Sequence, residues 1–219
     1  SGCVGAMDLG GGACTSGATA LLIAVMRGHV DLAEFFLGRG AEPDKSGTGY
    51  TALHWAAGTW ETSTTTEYEY TNPEWLALRG IPSQDAKIRI IRALVAHGAD
   101  VNARARVEPP RTGFTNIVTT PGLFRRGITP FYIATLAADT AVMRLLVTLG
   151  ADPGIKSANN ATPLMIAAGR IRLDADTRVR EEQALAAVKL TFELGNDVNA
   201  VNDDGETALH AAAYYGLNS

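Results

Sequence analysis

Apolar residues in this chain come in short runs at helical spacing, and the runs open on a recurring phrase. It reads Thr19-Ala20-Leu21-Leu22, Thr51-Ala52-Leu53-His54, Thr129-Pro130-Phe131-Tyr132, Thr162-Pro163-Leu164-Met165 and Thr207-Ala208-Leu209-His210. Threonine at an N-cap accepts a hydrogen bond from an otherwise unpaired N–H of the first turn. Pro130 and Pro163 fall at the first helical position, where a missing N–H costs nothing. Each phrase therefore predicts a helix start. Leu21, Ile23 and Ala24, then Leu53, Ala56 and Ala57, then Leu164, Ile166, Ala167 and Ala168 are expected to point inward. The small alanines let neighbouring helices approach closely.

A second apolar run follows in each of the first four units, as in Leu32, Phe35 and Phe36, or Ile88, Ile91, Leu94 and Val95. These runs stop at Gly40-Ala41-Glu42, Gly98-Ala99-Asp100, Gly150-Ala151-Asp152 and Gly195-Asn196-Asp197, where glycine suits a left-handed C-cap. A glycine or asparagine precedes each threonine by two residues: Gly17, Gly49, Gly127, Asn160 and Gly205. These types tolerate the positive φ of a tight turn. A unit recurring in this way marks a solenoid, with an extended surface for partners and no obvious pocket for chemistry.

The chain resembles the ankyrin repeat family. The resemblance rests on Thr51-Ala-Leu-His-Trp-Ala-Ala57, Gly28-His29-Val30-Asp31-Leu32, Gly98-Ala-Asp-Val-Asn102 and Asp204-Gly-Glu-Thr-Ala-Leu-His210. It implies an all-α solenoid of antiparallel helix pairs, each linked to the next by a β-hairpin finger. It also implies protein binding on the concave face, made by finger tips and the ends of the first helices. Met26, Arg27, Tyr50, Thr59, Ile128, Leu136, Arg170, Glu206, Tyr214 and Tyr215 match that face. In the family the histidine of the helix-one phrase braces the adjacent finger, the role expected of His54 and His210.

The spacing then departs from regularity. Thr19 to Gly40 and Thr129 to Gly150 each span 21 positions, whereas Thr51 to Gly98 spans 47 and Thr162 to Gly195 spans 33. The organisation expected is a Gly-rich N-terminal segment, residues 1–18, and a repeat array, residues 19–219. Insertions are placed at about 58–84, 103–126 and 169–181, and the last repeat is incomplete. Extra length in repeats maps to loops, often on a functional face. The partial fifth unit leads to the expectation that the chain is a fragment of a longer array, or that a neighbouring chain covers its end.

Composition narrows the function classes. A hydrophobic content of 46% is that of a globular chain, and a formal net charge of −4 does not point to nucleic acid. No run of eighteen apolar residues predicts a membrane span. Residues 1–18 lack the basic start and apolar core of a signal peptide, though a trimmed exported form fits equally, so no compartment is assigned. Cys3 and Cys14 lie in the Gly-rich segment and read as small residues or as a short disulfide loop.

Catalytic constellations are not found. HExxH, CxxC and GxSxG do not occur. His29 and His97 flank motif glycines and are expected to be structural. Gly12 to Thr19 spaces its glycines like a phosphate loop, yet Ala18 stands where lysine is needed. Asn160-Ala161-Thr162 is a sequon that coincides with a turn and cap. Asp174 and Asp176 begin a calcium pattern that nothing completes. No metal or cofactor is expected.

The insertions carry the candidate contacts. The first holds Trp60, Tyr68, Tyr70 and Trp75, which read either as interface anchors or as a satellite core over the helix ends. The second holds Phe114 and Phe124 with Arg125 and Arg126, suited to an acidic protein partner or to the chain's own acidic loop. The expected function is a non-catalytic protein-binding scaffold, adaptor or accessory subunit. The alternatives are self-association by end-to-end stacking into rings or filaments, and a regulatory segment of a larger enzyme.

Overall fold

The computed structural model describes residues 17–59, 81, 83–106, 127–169 and 181–214. These form nine described helices: α1 Ala20–Met26, α2 Val30–Gly38, α3 Ala52–Ala57, α4 Gln84–Ala96, α5 Pro130–Leu136, α6 Thr140–Thr148, α7 Pro163–Gly169, α8 Glu181–Glu193 and α9 Ala208–Tyr214. α1, α3, α5, α7 and α9 stack in sequence as one row. Behind them α2 packs on α4, and α6 on α8. The protein is an all-α solenoid of helix pairs.

The repeated threonines start the first-row helices. Their Oγ1 atoms accept from Leu22 N at 3.2 Å, His54 N at 3.3 Å, Tyr132 N at 3.3 Å, Met165 N at 3.2 Å and His210 N at 3.4 Å. Such a cap contributes about 1 kcal/mol to a helix, which matters for helices of six or seven residues. The turn ahead of each cap needs a left-handed residue. Gly49 sits at φ 90°, and Asn160 takes the same role at φ 61°; asparagine is among the few side chains that tolerate it.

The core runs the length of the stack. Leu21, Leu53, Phe131 and Leu164, each two residues after a capping threonine, are buried, as are the alanines Ala24, Ala56, Ala134 and Ala167 three positions further on. Successive units are also bonded through their connecting turns. Asp44 accepts from Asp100 N at 2.8 Å, Asn102 Oδ1 from Asp152 N at 2.8 Å, and Asn196 Nδ2 donates to the Pro153 carbonyl at 3.1 Å.

Two readings of the sequence are corrected. Ile23, expected inside, is exposed, and Leu32 and Phe35 of the second apolar run are exposed as well. The α2 face that is buried is Val30, Ala33 and Leu37. The β-hairpin fingers implied by the resemblance appear, among the described residues, as hydrogen-bonded turns without strands. The pairs Ala105 N to Ile128 O and Gly127 N to Ala105 O, at 2.9 and 2.8 Å, are too few to build a ladder.

Candidate interaction surface

Each finger is the turn that leads into a capping threonine, and the fingers are tied to one another through the backbone. Gly47 N donates to Gly17 O at 3.0 Å, Arg106 N to Gly49 O at 2.9 Å, and Asp203 N to Asn159 O at 3.0 Å. Arg104 Nη2 donates to the Lys156 carbonyl at 2.8 Å, and Asn160 Nδ2 donates to Asp203 Oδ1 at 2.7 Å. The sequon asparagine is thus part of the turn. Row-wide bonding of this kind fixes the tips before any partner arrives.

In two units the residue three positions after the capping threonine connects a helix to the next finger. His54 Nε2 donates to the Ile128 carbonyl at 3.1 Å, which leaves Nδ1 to accept from Thr51 N at 3.2 Å. Burial pushes this imidazole down from the ordinary 6.5 to about 4, against the smaller opposing pull of its carbonyl partners at Ile128 and Ala103 and of Asp100. Tyr132 occupies the same position and bonds Ser157, and burial pushes its phenol up. Met165 receives the Thr162 N–H on its sulfur at 3.4 Å. His210 repeats the local half of the pattern, with Nδ1 accepting from Thr207 N at 3.2 Å, and it is exposed.

Clefts open on this scaffold among the described residues. A cleft of about 220 Å³ lies between fingers, lined by Asp44, Ser46, Tyr50, Asp100, Arg104 and Arg106 among others. Its lining includes the exposed carboxylates Asp44 and Asp100 and the exposed arginines Arg104 and Arg106. A larger cleft of about 430 Å³ lies at the opposite end of the helix pairs, lined by Thr59, Gln84, Lys87, Asp139, Thr140 and Gln183 among others. On its wall Lys87 pairs with Asp139 at 3.2 Å and Gln84 Nε2 donates to Asp139 at 2.9 Å. The sequence reading missed this pair; its signal is a lysine and an aspartate at the same register of successive units. Among the described residues no group of three or more His, Cys, Asp or Glu is placed to hold a metal, and no helix is long and apolar enough to cross a membrane.

The candidate contact residues divide as follows. Tyr50 is buried and meets His54 edge-on, ring centroids 5.8 Å apart, so its ring builds the finger and offers little open surface. Ile128 and Leu136, matched to the concave face, are buried as well. Tyr214 lies in α9. Trp60, Tyr68, Tyr70, Trp75, Phe114, Phe124, Arg125, Arg126, Arg170 and Tyr215 lie outside the described residues, as do Cys3 and Cys14.

Comparison with known proteins agrees with this geometry. A family model described as ankyrin repeats (three copies) matches residues 5–63, and one described as ankyrin repeats (many copies) matches residues 178–219. The E3 ubiquitin-protein ligase KEG of Arabidopsis thaliana is 25% identical over 218 residues. That match covers 90% of this chain, and the chain spans 12% of the relative's length.

Proposed function

Because the chain belongs to the ankyrin repeat family, whose repeats generally mediate protein–protein interaction, we propose that it is a non-catalytic protein-binding module that grips its partner with the finger tips. The observation that supports this reading is the bonding between fingers, Gly47 to Gly17, Arg106 to Gly49 and Asp203 to Asn159. Tips held in this way lose little entropy on association. The exposed mix of Lys45, Asp100, Arg104, Arg106, Asp152 and Lys156 supplies charge that orients a protein partner and speeds encounter. The proposed surface extends to the aromatics Trp60, Tyr68, Tyr70 and Trp75 and to Arg125 and Arg126.

The test is capture of a protein partner by the wild-type chain and by a Lys45→Glu, Arg106→Glu variant. Neither side chain is buried, so the fold should persist, as checked by circular dichroism and melting. Loss of the partner by the variant supports finger-tip binding. Equal retention by both places the contact elsewhere.

A second reading is a recognition segment within a larger enzyme, supported by the chain's matching 12% of a relative named as a ligase. Under it the 219 residues bind and the chemistry resides in other parts of the longer protein. Turnover by the 219-residue chain alone would contradict both readings.

A further inference from the structure

Neighbouring fingers are joined tip to tip by a backbone bond from Gly47 N, from Arg106 N and from Asp203 N. The junction between the finger ahead of Thr129 and the finger ahead of Thr162 has no such bond among the described residues. Asn102 joins these two at their base, accepting from Asp152 N and donating to the Gly150 carbonyl. At the tips the link is a side chain, Arg104 Nη2 to the Lys156 carbonyl at 2.8 Å. Gly127 makes room for it. A Cβ there would stand 3.0 Å from Arg104 Nη2 and 3.4 Å from both Arg104 Nε and Ala158 N. A guanidinium and the backbone N–H of an exposed residue therefore meet over Gly127, and the Ala158 N–H has no acceptor among the described residues.

Charge of both signs surrounds this junction, and the two signs are used differently. Asp44 accepts from Asp100 N at 2.8 Å, Asp100 from Asn102 N at 2.9 Å and Asp152 from Gly154 N at 2.8 Å, so these carboxylates are bound into the turns. Lys45 is paired with Glu42. Arg104, Arg106 and Lys156 are exposed and form no ion pair among the described residues. The sequence between Arg106 and Gly127 sets Glu108 against Arg111, Arg125 and Arg126, a net of two further positive charges. A neutral carbonyl is a weaker acceptor for a guanidinium than a carboxylate is. Lys156 is exposed, so water takes the guanidinium's place there at little cost.

We propose that this junction seats an acidic segment of the protein partner, one bearing aspartate or glutamate side chains, with Arg104 and Arg106 as the residues that recognise it. Arg104 turns from the Lys156 carbonyl to one carboxylate and Arg106 takes a second. The Ala158 N–H and the Lys156 ammonium add donors in the neighbouring finger. Guanidinium groups suit this task because each can offer two parallel N–H bonds to a carboxylate. The seat is part of the finger-tip surface proposed above and rests on that reading.

Fluorescence anisotropy of a labelled oligoglutamate with the 219-residue chain tests it. Wild type is expected to bind this probe, more weakly as salt rises, and to ignore an oligolysine. Arg104→Gln, Arg106→Gln should weaken binding by about tenfold or more. Arg106→Gln alone, which has no side-chain bond to lose, should weaken it by about threefold or more with melting unchanged. Lys45→Gln, whose charge is already paired, should change it by less than about twofold. The proposal is overturned if oligoglutamate does not bind or if the double variant binds it equally. It is also overturned if oligouridylate of the same net charge binds more tightly, which would assign the cations to nucleic acid. Finger-tip binding and the acidic seat fail separately. Where Lys45→Glu, Arg106→Glu loses the captured partner and oligoglutamate does not bind, the tips still bind and the acidic seat is wrong. Equal capture by that variant and wild type removes both.

Discussion

Lys87 and Asp139 stand at one register of successive helix pairs, each eleven residues before its closing glycine, and they meet across the stack at 3.2 Å. Lys87 is 8% exposed. The two ends of this pair are not equally supported. Asp139 also caps α6 by accepting from Val142 N at 3.0 Å, and it receives the Gln84 amide. Lys87 has one further contact, to Thr59 Oγ1 at 3.4 Å.

The asymmetry sets the order of two substitutions. Asp139→Ala strips a buried ammonium of its counter-ion and removes a helix cap, and should cost about 3 kcal/mol or more. Lys87→Met leaves the carboxylate with its other donors and keeps the apolar stem, and should stay within about 1 kcal/mol of wild type. Urea unfolding of both variants checks the order. Equal losses would mean that the charge pair, not the cap and its amide, dominates.

Acid should weaken the fold through His54. Its folded value of about 4 lies below the ordinary 6.5, so the unfolded chain takes up the proton first. Stability from this neutral ring is complete above about pH 6.5 and falls as the pH drops toward 4, by about 3 kcal/mol for a shift of this size. Unfolding midpoints across that window measure it. In His54→Leu the part of the slope due to this ring disappears, at the cost of the bond to Ile128.

Gly47 should resist any side chain. A Cβ there would stand 2.7 Å from the Gly17 carbonyl oxygen and 2.8 Å from the Gly17 Cα, both backbone atoms. Gly47→Ala must part the first two fingers and lose the Gly47 N to Gly17 O bond, a cost of about 1–2 kcal/mol. Melting reads the loss, and faster exchange at the position-47 amide locates it.

Much of the fold was legible because its signals are local. A threonine cap, a proline at the first helical position and a glycine past the last turn each act within a few residues, and all five threonines start helices. Burial at the ends of the stack was not legible. Helical spacing shows which face of α2 is apolar, but Leu32 and Val142 look alike in sequence and differ only in what packs against them. Tyr50 matches the concave face that the resemblance implies, yet it is buried against His54. The His54 bond to Ile128 spans 74 positions and the Lys87 bond to Asp139 spans 52, distances that only aligning the units against one another could close. The aromatic and Arg-rich insertions have no such register to align, so their contacts rest on composition alone.

Rigid presentation of the fingers is measured most directly by amide hydrogen exchange at Gly47, Arg106 and Asp203, the donors between fingers. Protection of at least about a hundredfold over an unstructured chain is expected at all three. Exchange at the unprotected rate, with the helices still protected, would show fingers that move independently and would contradict a preformed binding surface.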